Sequence, residues 1–499
     1  MNQGKATILK LGFRVHTLLG WIGAGALLVF ALSGITHPLM SWTGPQAAAF
    51  FPPQAKIPTE LLLRIPTTLR DANITSASLV KVVPSESAPL LQITDDPLQP
   101  RRYFSLDTGK ELAAYDERHA VWLARYYAGH PETQIRSVSF QRTFSDDYPW
   151  VNRLLPVYKI ELDTPDNLTL FVYTELSALA DITNSWKRLL QKIFRWGHTL
   201  SFLENTEVVR VILMAVLLLS VVGMTVSGML MIRLMKSRSM PLGRRVHRNL
   251  GYAIWLPLLI LSSSGLYHLI QSSLDYRRGG LQLPKPFSIT QEQLSTQLTP
   301  FAHLGERPLT SINILEAPNG DLIYRLGVPN GPPGEGVSRS MRFGGVPFEQ
   351  APLYISARTG KQLSLTEREI ALDYAASHRG GAPSDTIHTE LITRFGPDYD
   401  FRNKRLPVWQ IDYADPIKES VFIDPASGLL VDRVAPAQRL EAVSFSQLHK
   451  WNFLVPLMGR GGRDSIVVSL LSATIFATLL GLKMKLTRLL KRQRLRRQE

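Results

Sequence analysis

Arg245-Val246-His247-Arg248-Asn249-Leu250-Gly251-Tyr252 opens a long apolar run that closes at Ser264-Gly265-Leu266-Tyr267-His268. The chain has used this phrase before. Arg14-Val15-His16-Thr17-Leu18-Leu19-Gly20-Trp21 opens an apolar run that closes at Ser33-Gly34-Ile35-Thr36-His37. In both copies the two histidines stand 21 residues apart. Ionisable groups in apolar spans are rare and cost free energy, so two runs bracketed alike by histidine point beyond lipid anchoring.

Four stretches are long and nearly free of charge: 18–36, 211–232, 250–269 and 465–482. Each approaches the roughly 20 residues that cross a hydrocarbon core. The net charge of +15 is unevenly placed. Residues 1–14, the connection 233–248 and the tail from 483 together hold 17 basic residues against one acid, Glu499, which leaves 39 basic and 40 acidic residues elsewhere. An excess confined to short segments is the positive-inside pattern and not a nucleic-acid patch. Both termini and the central connection are therefore expected in the cytoplasm, with two large segments outside. The first run exceeds a signal-peptide core, and its motif recurs internally, so it is expected to remain. The chain has no cysteine. That excludes disulfides, iron–sulfur ligation, thiolate-bound haem and covalent haem attachment.

The outer segments repeat with an offset of 251. Tyr103-Phe104-Ser105-Leu106-Asp107-Thr108-Gly109-Lys110 aligns with Tyr354-Ile355-Ser356-Ala357-Arg358-Thr359-Gly360-Lys361. Leu155-Pro156-Val157-Tyr158-Lys159-Ile160 aligns with Leu406-Pro407-Val408-Trp409-Gln410-Ile411, and His198 with His449. Residues 102–110, 155–162 and 168–173 read as strands, and 185–194 has helical spacing. A tandem duplication follows: span, outer α+β segment, span, twice over, as parallel repeats about an axis along the membrane normal. The expected division is 1–42 (terminus and first span), 43–204 (first outer domain), 205–235 (second span), 236–248 (cytoplasmic connection), 249–271 (third span), 272–462 (second outer domain), 463–483 (fourth span) and 484–499 (basic tail). The Gly- and Pro-rich stretch 331–348 has no counterpart in the first half and reads as an insertion.

Six of the eleven histidines fall at span boundaries as three symmetry-related pairs: His16 with His247, His37 with His268, and His198 with His449. A metal held between two imidazoles needs ligands from different helices facing a shared interior. Twenty-one helical residues rise about 31 Å, so His16 and His37 belong to different levels of the bilayer. The pair His16/His247 stands alone on the inner side. On the outer side His37/His268 and His198/His449 compete. Arg14 and Arg245, two residues before the inner histidines, suit the carboxylates of a haem, and Gly20, Gly23, Gly25, Gly34, Gly251 and Gly265 suit close approach of a planar group. The residues thus point to two haems of the b type and electron transfer. A transporter of parallel repeats would show broken helices and mid-membrane charges; spans two to four lack both, apart from Pro257. No nucleotide or flavin motif lies in the cytoplasmic segments, so electrons must come from a partner, either a membrane quinol or a cytoplasmic reductase.

The strand-to-turn motif at Asp107-Thr108-Gly109 and at Asp424-Pro425-Ala426-Ser427-Gly428 resembles the PepSY domain. The Arg-x-His-x-x-x-Gly entry to spans one and three resembles the PepSY-associated transmembrane helix family of bacterial inner-membrane proteins, over nearly the whole chain. The resemblance implies four transmembrane helices, two periplasmic α+β PepSY-like domains, haem b, and reduction of a ferric siderophore or similar periplasmic iron chelate. It equally admits a periplasmic binding or peptidase-modulating membrane protein without redox activity, although the paired histidines then have no task.

Overall fold

The structure is a computed structural model that describes residues 3–54, 56–235, 240–274, 281–294, 309–328, 350–380, 385–396, 399–414, 416 and 418–498. The stretch 331–348 and His303 lie outside them. The chain forms two compact units: a helical one from 1–44, 186–277 and 437–499, and a β-rich one from 45–185 and 278–436.

Four helices of the helical unit are long and apolar enough to cross a membrane: Ile22–Thr43, Ser201–Leu234, Leu242–Leu274 and Asn452–Arg496. Four such candidate spans point to a membrane protein. Helix α1 (Gln3–Leu19) breaks at Gly20–Trp21 before α2 (Ile22–Thr43), so the first copy of the opening motif is divided. Its second copy lies on one uninterrupted helix, α7 (Leu242–Leu274). The other spans are α6 (Glu207–Leu234) and α10 (Val455–Arg496). Ala26, Leu27, Val221, Ile254, Leu258 and Ala477 form the centre of the bundle. Small residues at these positions allow the close helix contact that lipid, as apolar as leucine, does not itself drive. Helix α5 (Ser185–His198) and helix α9 (Pro436–Ser444), with its π-helical continuation Phe445–His449, belong to this unit and not to the β-rich one.

The β-rich unit bears the duplication in its register. Strands β5 (Ile135–Gln141), β6 (Val157–Leu162), β7 (Thr169–Tyr173) and β8 (Ala178–Thr183) form one antiparallel sheet. Strands β13 (Thr386–Ile392), β14 (Val408–Tyr413), β15 (Ser420–Asp424) and β16 (Leu429–Val434) form its copy, every boundary displaced by 251. Helices α4 (Tyr115–Ala128) and α8 (Glu367–Arg379) pack on these sheets, and β7 and β15 are wholly buried. The two outer segments do not, however, close as separate domains. Strands β2 (Leu79–Val83), β3 (Leu90–Thr94) and β4 (Arg102–Ser105) join β10 (Ser311–Glu316), β11 (Leu322–Val328) and β12 (Gln350–Ser356) in one six-stranded sheet. Its order, β12-β11-β10-β2-β3-β4, reads the same when the halves are exchanged, with Lys81 opposite Asn313 where they meet. The sequence marks β4, and β12 through its alignment, but neither the other four strands nor the pairing: an unpaired edge is satisfied by its copy as readily as by its own half.

The turn motifs are explained locally. Gly109, Gly360 and Gly428 have φ near +70° and donate their amides back to Ser105, Ser356 and Asp424 at 2.8 Å. The Asp424 carboxylate accepts the Ala426 amide at 2.9 Å, which fixes the turn that glycine then closes.

One buried ionic cluster joins the halves. Arg405, almost without exposure, pairs with Asp424 at 2.7 Å and with Glu175, and Lys81 reaches Glu175 at 2.8 Å. Burial by itself pushes the Glu175 carboxyl up, but Arg405 and Lys81 outweigh it and hold it at about 2, below its ordinary 4.5. Because the folded value is depressed, this stabilisation is present above about pH 4.5 and is lost as pH falls toward about 2. Arg405→Met, which strands two buried carboxylates, is expected to cost about 3–5 kcal/mol in thermal unfolding of the full chain. Glu175→Gln should flatten the acid limb of the midpoint-versus-pH curve; an unchanged limb would show that other carboxylates control it.

Candidate functional site

Four of the six boundary histidines share one local construction. His16 on α1 bonds through Nδ1 to the Met224 carbonyl of α6 at 3.0 Å, with Ser227 Oγ at 3.4 Å. His247 on α7 bonds through Nδ1 to the Ala477 carbonyl of α10, also at 3.0 Å. His198, the last residue of α5, reaches the Phe30 carbonyl of α2 at 3.3 Å and Ser33 Oγ at 3.4 Å. His449 reaches the Leu261 carbonyl of α7 at 3.1 Å and Ser264 Oγ at 3.3 Å. A carbonyl only accepts, so Nδ1 carries the proton in all four, and Nε2 keeps its lone pair. No described residue bonds any of these Nε2 atoms. A metal-ligating histidine is oriented in just this manner, with its other nitrogen donating to a carbonyl.

Each ring also lies against a glycine of the helix that accepts its proton. A Cβ added at Gly228 would stand 3.3 Å from His16 Cε1, and one at Gly481 would stand 3.1 Å from His247 Cε1. The corresponding distances are 3.6 Å for Gly34 against His198 and 3.2 Å for Gly265 against His449. The first two glycines escape a reading of the sequence at the 251 offset, because α10 runs two residues ahead of α6. The extra residues are absorbed near Gly459, whose φ of +70° breaks the first turns of α10.

The rings assemble into two levels. His16 on α1 and His247 on α7 occupy the repeated motif and are held alike, by carbonyls of α6 and α10. His198 and His449 face one another with ring centres 6.1 Å apart. The ring nitrogen of a ligating imidazole lies about 2 Å from its metal and the ring centre about 1 Å beyond, so two imidazoles across one metal have centres about 6 Å apart. Along α7, His247 and the Leu261 carbonyl are 14 residues apart, which places the levels about 21 Å from each other.

Phe194 stacks on His198 at 4.8 Å and 15°, and Phe445 on His449 at 5.1 Å and 13°. These phenylalanines stand 251 residues apart, four before each histidine, a signal the sequence held. Arg210 of α6 donates to the Thr199 carbonyl at 3.0 Å, and Arg463 of α10 to the Lys450 carbonyl at 2.7 Å. Each arginine thus ties down the residue just after a histidine of the second level.

His37 and His268 are not brought to face each other. His37 lies against Phe194 at 5.8 Å and a tilt of 54°, whereas His268 stacks on Phe445 at 4.0 Å and 20° and bonds through Nδ1 to Glu441. Arg14 and Arg245 are exposed and pair with no described residue. Trp21 lies under Lys485 at 4.3 Å and Tyr252 beside Arg248 at 5.8 Å, aromatic–cation pairs of the kind that sit at a bilayer interface.

Among the described residues no three His, Asp or Glu side chains converge on a point that could hold a bare metal ion. Two opposed imidazoles suffice only for a metal that brings its own equatorial ligands, which is the demand a haem makes of a protein. The residues of both levels fit that group. No protein-family model matches the chain, and no curated protein matches it.

Arg463→Met and Arg210→Met each remove a charge-assisted bond of about 1.5–3 kcal/mol. Hydrogen exchange measured on the whole protein should accelerate at residues 445–452 and 194–201, respectively. Unchanged protection there would mean that the arginines do not hold the histidine turns.

Proposed function

We propose that this chain is a bacterial inner-membrane protein holding two haems of the b type, one between His16 and His247 and one between His198 and His449. In this reading it carries electrons across the membrane to reduce a ferric chelate, of the siderophore class, on the periplasmic side. The observation that carries the reading is the fourfold repetition of one imidazole setting: Nδ1–H held by a backbone carbonyl, Nε2 unbonded among the described residues, the Cε1 edge of the ring against a glycine. Such a setting has no purpose in plain helix packing, where a leucine would fill the space without burying a polar ring.

When bound, each haem supplies a reversible one-electron Fe(III)/Fe(II) couple. The chain's own residues then orient the imidazoles and set their basicity through the Nδ1–H bond. Val221, Ile254 and Leu258 keep the space between the levels dry, and this burial sets the potential. No acid–base residue acts on the chelate: each chelated Fe(III) takes one electron, and where the donor is a quinol its oxidation supplies two electrons for two Fe(III) and releases two protons at the donor site. The product, Fe(II), is softer and carries less charge, and oxygen-rich chelators hold it poorly. The basic segments at 1–14, 233–248 and 483–499 set the orientation, with both termini in the cytoplasm.

Membranes expressing the chain with ample haem should show a b-type α band in a reduced-minus-oxidised spectrum, and its absence would overturn the reading. His16→Ala with His247→Ala, and separately His198→Ala with His449→Ala, should each halve the haem content of purified protein. Full retention in either double variant would refute that pair, and an unchanged content after His37→Ala with His268→Ala is the complementary expectation.

A further inference from the structure

Beside the second level the halves keep Phe194/Phe445 and His198/His449 but differ at most other positions, among them one buried acid. Glu441 stands where Leu190 stands in the first half, 251 residues earlier, and both side chains are buried. The Glu441 carboxylate accepts the Nδ1–H of His268. Its counterpart His37 pairs with no carboxylate among the described residues and has a tilted contact with Phe194. A carboxylate that holds Nδ1 fixes the ring, makes Nε2 a better donor, and is a recurrent outer partner of metal-ligating histidines. His268 is a third exposed, and no described residue bonds its Nε2.

The geometry points to His268, oriented by Glu441, as the side chain that meets the metal of an incoming chelate. One imidazole cannot hold a bare ion, and no third ligand converges here. It can occupy a single exchangeable position on a metal that carries its remaining ligands with it. The surroundings suit an anionic complex. Lys450 Nζ lies 4.5 Å from the Phe445 ring on which His268 stacks, and Glu441 is the acid set against it. The ring sequence His268–Phe445–His449, at 4.0 and 5.1 Å, places the proposed contact beside the second level in the second half. In the first half the matching step, His37 to Phe194, is longer and tilted.

That the metal is iron awaiting reduction rests on the proposed function; the binding site itself does not. Cupric nitrilotriacetate, an anionic chelate with exchangeable positions, is a suitable probe because copper(II) binds imidazole strongly and is paramagnetic. The purified full chain carrying His130→Ala and His388→Ala, two exposed imidazoles that would also take the probe, is titrated with it and followed by electron paramagnetic resonance; the copper should gain an imidazole nitrogen beyond the chelator's own amine, and His268→Ala should remove it. Glu441→Leu should weaken that signal about 10- to 100-fold, the usual cost of removing an outer partner, and Glu441→Gln should weaken it less. His37→Ala should retain the signal. Unaltered coordination in His268→Ala, or equal loss in His37→Ala, would overturn the assignment. Size-exclusion profiles and the optical spectrum of the same samples separate the alternatives. Folded protein without a haem band but with His268-dependent copper refutes the electron-transfer reading alone, and a haem band without that copper signal refutes only this site.

Discussion

The bond from an imidazole Nδ1–H to a backbone carbonyl on a neighbouring helix is the contact on which the rest of the helical unit depends. Inside a helix that carbonyl already accepts an amide four residues on, and the imidazole takes its second lone pair. Reaching it requires the helices to approach closely, so glycine occurs where the ring lies: Gly228, Gly481, Gly34 and Gly265. The same requirement selects small residues along the seam, such as Ala26 and Ala477. A polar ring buried in a bilayer without this bond would cost several kcal/mol. With it, the ring is satisfied at one nitrogen and available at the other.

This constraint explains which parts of the architecture could be read from the sequence. The spans were legible because lipid imposes about 20 apolar residues on any helix that crosses it. The duplication was legible because both halves kept the turn glycines and the buried strands, down to boundaries displaced by a constant 251. The pairing of His16 with His247 was an expectation drawn from the repeat, since no other histidine pair competed with it at its end of the spans. The shared six-stranded sheet was not legible, since strand pairing across halves leaves no trace in alternation. Nor were Met224 and Ala477 visible as partners, because they act through backbone carbonyls that any residue would provide.

The outer level shows why the repeated motif left two histidine pairs in competition. His37 and His268 belong to the same phrase as His16 and His247, and the phrase invited the same role for both ends. Yet the spans are longer than the distance between the levels. About 21 Å along α7 separates His247 from the point where His449 attaches, so His268, 21 residues from His247, overshoots it by a turn or two. The histidines that fill the second level come from α5 and the π-helical turn after α9. These segments descend beside α2 and α7 and end where the bilayer level requires. The clue was the phenylalanine four residues before each, which is helical stacking distance and has no bearing on a loop.

Within each half the imidazole bonds are internal: α1 to α6 and α2 to α5 in the first, α7 to α10 and α7 to the turn after α9 in the second. Each half therefore prepares one imidazole per level and no more. A ligand pair exists only where two halves meet, which is what an isologous dimer would supply by symmetry. Joining the halves in one chain keeps that symmetry but releases each copy to change alone. The four histidines with Phe194 and Phe445 are among the positions at which the copies still agree. The positions at which they differ, above all Leu190 against Glu441, mark what one half does by itself. A strictly symmetric dimer would have to offer two equal contacts to anything approaching its second level; the fused chain offers one.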